Sequence, residues 1–400
     1  MSPVSVRAGD FHLSLGRGLT LSVQKNESLD IEDTIDGGLF KLATTSFELL
    51  LSGGEVTRPL PTFRIAEKDK VYAARMQGNL PYSLRIGANY VWSEVHEMDL
   101  RLNEYQAYGG DVSFTAPNDL FDLYCEYAEL DSKLSDEEES YNRIPDGSGL
   151  YGSLTTSLAG VVVLVEYKDY DHFTYPKDSP YYQYNLPPSA DREDEANDHE
   201  DIRGFRGEVS YFVPAVGTLL HASHGVFEDH GGNVDLTHTY GGIEYTGDWL
   251  YVHGVYGHRY TDETITGEIE TTQDRINLDI QVTFAERHSL TLAVETKRKE
   301  ERFIFGTSLP DQVEVRDENR SFLTYSFSPY LSITAHYAWD YRRGDDFDDL
   351  WAGEVEVTPC SHFSAKVLYG AQPGGLVCSG GMCRTVPDFE GVKLETTITF

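Results

Sequence analysis

The chain has 400 residues, of which 40% are hydrophobic and 12% aromatic, so it is not a disordered polymer. Its formal net charge is −34, with 66 acidic against 32 basic residues, and no basic patch stands out. Nucleic acid is therefore excluded as an expected partner, and cations are favoured over phosphates. No apolar run approaches the roughly 18 residues of a spanning helix; the longest candidate is Val161 to Val165. The mean hydropathy of −0.40 argues against a helical membrane protein. It does not argue against a barrel, whose strands give half their residues to a polar lumen.

The start, MSPVSVRAGDF, has neither a basic n-region nor an apolar h-region, so no secretory signal is expected in it. In the stretch that follows, Phe11, Leu13, Leu15, Leu19, Leu21 and Val23 share a parity, and Arg17 interrupts that face between Gly16 and Gly18. A charge facing lipid at the midplane costs about 2–4 kcal/mol. Two readings stay open for residues 1–37. Either Gly16-Arg17-Gly18 is a bulge or turn in a first strand that re-aims Arg17, or the segment lies inside a barrel.

Further along, the period is two. Leu84, Ile86, Ala88, Tyr90 and Trp92 alternate with Arg85, Gly87, Asn89 and Val91. Ile276, Leu278, Ile280, Val282 and Phe284 alternate with Asn277, Asp279, Gln281 and Thr283. Leu290, Leu292 and Val294 alternate with Thr291, Ala293, Glu295 and Lys297, and the run from Leu331 to Tyr341 does the same. Successive strand side chains face opposite sides, so each run has one oily and one wet face. The runs extend over about nine to eleven residues, the length of a tilted spanning strand. Aromatics sit near their ends, as with Trp92, Trp249, Trp339, Tyr341, Trp351 and Tyr369.

Tight turns are expected near residues 44–45, 79–81, 117–119, 158–160, 214–215, 247–248, 286–288, 328–329 and 359–360. Longer polar segments are expected around 131–148, 170–204, 226–235, 299–318, 342–349 and 370–391. Nine hairpins with one strand before and one after predict about 20 strands, in a range of roughly 16–22. The expected fold is all-β: one closed antiparallel transmembrane β-barrel over residues 1–400, with short periplasmic turns and long extracellular loops.

Charged residues on the expected inner face are Arg85, Glu166, Lys168, Asp279, Glu295, Lys297, Asp340, Glu354, Glu356, Lys366, Lys393 and Glu395. As a set they suit a polar lumen that tunes ion passage; singly, each is more simply a wall charge paired with a neighbour. Acidic clusters lie at residues 136–139, 191–201 and 345–349, all in expected loops and none with an EF-hand spacing. His221, His224 and His230 form a loose group whose spacing matches no metal motif, so solvated histidines are expected there. Cys378 and Cys383, in CSGGMC, are candidates for a disulfide in an oxidising compartment, whereas two nearby ligands are too few for structural zinc. No C-x-x-C-H motif is present, no cofactor is expected, and no Ser/His arrangement suggests an enzyme.

The last residues, VKLETTITF, alternate again and end on Phe400, which resembles the C-terminal signal that barrel insertion machinery reads. GDFHLSLGRGLTLSVQKNESLDIEDTIDGG near the start and CSGGMCRTVPDFEGVKLETTITF at the end resemble an uncharacterised bacterial family of outer-membrane β-barrel proteins. The resemblance implies a porin-like barrel in that membrane, and no activity comes with it. The expected function is a channel for ions or small hydrophilic solutes, with cations preferred. Its expected partners are the lipid bilayer and the insertion machinery. The second reading is a scaffold that sheathes a protein partner in its lumen, such as a multihaem cytochrome, or displays loops; an outer-membrane enzyme comes third.

Overall fold

The computed structural model describes residues 3–23, 25–26, 31–32, 34–59, 66–96, 102–134, 146–173, 184–185, 201–264, 268–304, 312–343, 346–360, 362–372, 375–379, 382–386 and 389–398. Among the described residues, no helix is long and apolar enough to cross a membrane. The strands are β1 (Val4–Phe11), β2 (Leu13–Leu15), β3 (Leu21–Val23), β4 (Lys25–Asn26), β5 (Ile31–Glu32), β6 (Ile35–Ala43), β7 (Phe47–Pro59), β8 (Ala66–Leu80) and β9 (Leu84–His96). They continue as β10 (Leu102–Thr115), β11 (Phe121–Leu134), β12 (Gly147–Leu158), β13 (Val161–Asp171), β14 (Asp201–Val213), β15 (Thr218–Glu228), β16 (Val234–Thr246) and β17 (Leu250–Glu263). The remainder are β18 (Glu268–Phe284), β19 (His288–Ile304), β20 (Gln312–Phe327), β21 (Leu331–Arg343), β22 (Asp346–Cys360), β23 (Phe363–Gln372), β24 (Gly375–Ser379), β25 (Met382–Val386) and β26 (Phe389–Ile398).

Twenty of these strands belong to one sheet, the number reached by counting tight hairpins. The short pairs β2–β3, β4–β5 and β24–β25 stand outside it. The chain divides into two compact units. The first holds residues 1–26, 30–207 and 225–232, and the second holds residues 27–29, 208–224 and 233–400.

In the first unit β1 pairs with β6, and antiparallel pairing then runs strand to strand through β7, β8, β9, β10, β11 and β12 to β13. In the second it runs from β16 through β17, β18, β19, β20, β21, β22 and β23 to β26. Eight of the nine expected tight turns join such neighbours, and the ninth, at 214–215, lies between β14 and β15. Three of them place consecutive residues in the left-handed region: Tyr82 and Ser83, Ala159 and Gly160, and Ala285 and Glu286. Turns of that hand match the twist of the strands they join.

The other connections are shorter than the polarity of the sequence suggested. β19 runs on to Ile304 and β20 begins at Gln312, so most of 299–318 is strand and not loop. β21 and β22 likewise take up most of 342–349, and β24 and β25 build a hairpin within 370–391. Charged residues continue a strand readily once it has left the hydrocarbon, because both faces then meet water. Among described residues, the cluster at 345–349 therefore begins β22, and Asp349 accepts a hydrogen bond from the Tyr337 hydroxyl at 3.3 Å.

One face of the wall is oily and open. Ile276, Phe284, Leu290, Leu323, Ile333, Val355, Val367 and Leu394 are all exposed on it in the second unit, and Tyr72, Met76, Ile86, Leu123 and Tyr127 in the first. Rings gather at strand ends on this face. Tyr72 lies 5.6 Å from Trp92, and Tyr337 lies 4.0 Å from Trp351. Just beyond Tyr72 and Trp92 on the same face come the ion pairs Lys70–Glu94 and Lys68–Glu55. This order, apolar band then aromatic ring then charge, is that of a spanning strand as it leaves lipid.

Replacing a residue at the centre of that band tests the assignment. Ile280→Arg is expected to destabilise the folded protein in bilayers by about 2–4 kcal/mol, while Gln281→Arg, one residue on and facing inward, changes little. Denaturant unfolding from liposomes reads the difference; equal effects would contradict the facing.

Candidate functional site

The wet face of the wall carries the candidate site. In the first unit a polar belt crosses six consecutive strands, because antiparallel register sets one inward residue of each beside the next. Arg75 on β8 stands opposite Asn89 on β9. Asp111 on β10 stands opposite Glu126 on β11, Glu126 opposite Tyr151 on β12, and Tyr151 opposite Lys168 on β13. Arg75 donates to both carboxylate oxygens of Asp111, at 2.7 and 3.0 Å, and to the Asn89 side-chain oxygen at 2.7 Å. Such a two-pronged contact is the strong form of an Arg–carboxylate pair. Glu166 accepts the Tyr151 hydroxyl at 2.5 Å and meets Arg206 on β14 at 3.1 Å. The Lys168 ammonium lies 4.7 Å from the Phe227 ring centre and 5.9 Å from that of Tyr170, in cation–π contact.

The N-terminal stretch lies on this same face. Between β1 and β6 the chain leaves the sheet and forms the hairpin β2–β3, with Leu13 opposite Val23 and Leu15 opposite Leu21. Gly16-Arg17-Gly18 is in its turn, with φ of 59° at Gly16 and 97° at Gly18, a region glycine enters freely. A β-carbon on Gly16 would collide with the Glu126 carboxylate. The Arg17 amide donates to Glu126 at 2.7 Å, and its guanidinium lies 4.9 Å from the Tyr124 ring centre. The Gly-Arg-Gly is the turn of a hairpin that stands outside the large sheet and meets Glu126 and Tyr124. Leu15, Leu19 and Leu21 are fully buried. Each such side chain contributes about 1.5–3 kcal/mol by leaving water. Ser22 donates its amide to the Tyr184 carbonyl at 2.6 Å, and the Tyr184 hydroxyl donates to Asp69 on β8 at 2.5 Å.

In the second unit the inward face is a lattice of paired charges. Arg275 meets Glu295 at 2.8 Å, Lys297 meets Glu318 at 3.9 Å, and Lys299 and Arg316 both meet Glu301. Lys366 bridges Glu354 at 3.6 Å and Glu395 at 3.0 Å, and Glu395 also meets Lys393 at 2.5 Å. His253 faces Asp279 at 3.4 Å. On β14 and β16, Tyr240 donates to Glu208 at 2.9 Å and stacks edge-on with His221.

Of the charges expected on the inner face, Glu166, Glu295, Lys297, Glu354, Lys366, Lys393 and Glu395 are in ion pairs. Arg85 is on the inward parity of β9 but exposed near the turn, and Glu356 stands opposite Lys366 in register. The Asp340 side chain and Phe400 lie outside the described residues, as do the cluster at 136–139 and all of 191–200. Sequence reasoning missed Arg75, Asp111, Glu126, Arg206, Arg275 and Arg316. Their parity was the available signal: each sits one residue from an outward apolar or aromatic side chain.

The three expected histidines have separate surroundings. His224 shares a hydrogen bond with Thr239 at 2.7 Å. His230, in the loop after β15, has Asp201 on Nδ1 and Asp169 on Nε2, the latter at 2.8 Å. With Asp171 and Asp201 it forms the group of metal-capable side chains among the described residues, donor atoms within 4.8 Å of one another. Cys125 and Cys360 are free and exposed. Backbone register sets Cys378 opposite Cys383 across β24–β25, and the two side chains lie outside the described residues.

With the geometry in view, comparison with known proteins adds the following. A family model described as a family of unknown function, DUF6029, matches residues 237–400, which agrees with the resemblance seen at the C-terminal end. No curated protein matches the sequence. Among solved structures, the copper transporter OprC aligns with a TM-score of 0.50 at 12% identity, covering 90% of this chain and 70% of its own. The siderophore receptor PirA from Acinetobacter baumannii gives 0.49 at 9% identity, covering 94% and 72%. The outer membrane protein opdK from Pseudomonas aeruginosa gives 0.41 at 13% identity, covering 88% and 98%. The likeness to OprC carries the fold, which is that of an antiparallel outer-membrane β-barrel, and does not carry an activity.

Two outcomes follow from the site. Arg75→Met strands the buried Asp111 carboxylate and is expected to cost about 3–5 kcal/mol, whereas Arg75→Met with Asp111→Leu recovers most of that loss; denaturant unfolding of the two variants checks this. For His230, burial disfavours the charge, but the hydrogen bonds its ring donates to Asp201 and Asp169 outweigh it and raise the pKa above the usual imidazole value. Its contribution is therefore complete below that usual value and is lost as pH rises through the raised one. Hydrogen exchange at residues 229–232 is expected to quicken across that rise, and His230→Gln to abolish the pH dependence.

Proposed function

We propose that this protein is a porin-like passage in a bacterial outer membrane, for ions or small hydrophilic solutes. The observation that carries the reading is the opposition of the two faces of one wall. The outward face offers exposed aliphatic side chains bounded by rings. The inward face carries the belt from Arg75 to Lys168 in the first unit and the lattice from Arg275 to Glu395 in the second. Charges collected on one face of a lipid-embedded sheet are stable only against water or protein, and fixed charges of both signs along a wet wall tune the passage of ions.

The wall itself is nearly balanced, because its carboxylates are largely matched by Arg and Lys. A preference for cations then rests on the net charge of −34 across the whole chain, and it is expected to be modest and screened by salt. Neighbouring lipid and the barrel insertion machinery are the partners this reading requires. It needs no catalytic group.

Purified protein in a planar bilayer is expected to give stepwise conductance. Under a potassium chloride gradient, the reversal potential should have the sign of cation preference and should shrink at high salt. A folded, inserted protein that passes no current, with or without residues 12–34, would sink the passage reading; a reversal potential of the opposite sign would remove the cation preference alone.

A further inference from the structure

Resting on the passage reading, we propose that the hairpin β2–β3 is a built-in constriction, an inward flap of the chain that narrows the path through the first unit. Its place in the chain is the first argument. β1 and β6 pair directly, with Phe11 opposite Ile35 at the end of the ladder. Two residues would suffice to join them there, and the chain spends residues 12–34 instead. The excursion is not needed to complete the sheet.

Its packing is the second argument. A hairpin that only decorated the mouth of a barrel would turn its polar atoms to water. This one buries Leu15, Leu19 and Leu21 completely, on the face where a plain aqueous channel would hold water. Phe173, Tyr184 and Asn185, from the chain between β13 and β14, are buried on the same side, and the Tyr184 carbonyl receives the Ser22 amide.

The fit at the turn is the third. Glu126 is fully buried in the wall, and one of its oxygens takes the Arg17 amide while the other has no hydrogen-bond partner among the described residues. Gly16 is pressed against that carboxylate, so that a β-carbon there would displace it, and its φ of 59° strains any other residue. A buried carboxylate left half-satisfied by the wall and closed over by the hairpin is a seat shaped for that turn. With the hairpin withdrawn, Glu126 would face the passage and regain water.

The test replaces residues 12–34 by an Asn-Gly turn joining Phe11 to Ile35. A full-length companion, Leu15→Ser with Leu21→Ser, loosens the hairpin without shortening the chain. Both are compared with the wild type in planar bilayers containing potassium chloride, after heat-modifiable migration has shown a folded barrel. The turn variant is expected to give unitary conductance several-fold above wild type, and the double variant a smaller rise with more frequent transitions. A wild type that is silent while the turn variant conducts also supports the constriction, as complete closure. Equal steps from wild type and variants overturn the constriction and leave the passage reading standing. Silence from all three folded proteins overturns the passage reading, and the constriction with it. Should the turn variant not insert, the double variant against wild type decides by the same criteria.

Discussion

Everything in this molecule follows from the cost of an unsatisfied peptide group in hydrocarbon. Each buried N–H or C=O without a partner costs several kcal/mol, so a chain crosses lipid as helices or as a closed sheet. In this chain the strands pair neighbour to neighbour, and the two-residue period of a strand forces every segment to present alternate chemistries to its two sides. The oily side and the charged side are consequences of one backbone geometry.

That geometry also explains why the inward charges come in pairs. Register brings inward residues of neighbouring strands within reach of one another, as Asn277 and Glu295, or Lys366 and Glu395. A charge placed on that face has a neighbour a few ångströms away whether or not it serves transport. Matching signs across adjacent strands lowers the self-repulsion that a chain of −34 would otherwise concentrate in its interior. The result is a wall that is polar throughout and weak in net field. Selectivity in such a wall depends less on any one side chain than on where the passage is narrow.

The turns and the inward parity were legible because they rest on local rules. Pro, Gly and Asn at 79–81, 117–119 and 158–160 mark reversals whatever surrounds them, and counting the reversals reached the observed number of strands. Glu166, Lys168 and Glu295 were legible for the same reason. Strand ends were not, since Lys297 through Glu301 read as loop yet continue β19. Polarity signals exit from lipid, not the end of pairing. The partners of each charge were also hidden, because Arg75 with Asp111 and Glu166 with Arg206 depend on register between strands that are 36 and 40 positions apart in sequence.

The N-terminal hairpin shows the limit of periodicity most clearly. Leu13, Leu15, Leu21 and Val23 alternate as faithfully as any lipid-facing run, yet they are buried in protein. Alternation reports that a segment has one apolar face and says nothing of what that face meets. The discriminating feature was Arg17 between two glycines. A cation at that place is costly against lipid and inexpensive against the Tyr124 ring, with the Glu126 carboxylate beside it. A charge that breaks an otherwise apolar parity, flanked by residues free to enter the left-handed region, argues that the segment has turned away from the membrane. On that argument the inside of the first unit is partly core and partly lumen, and the boundary between the two runs through Glu126.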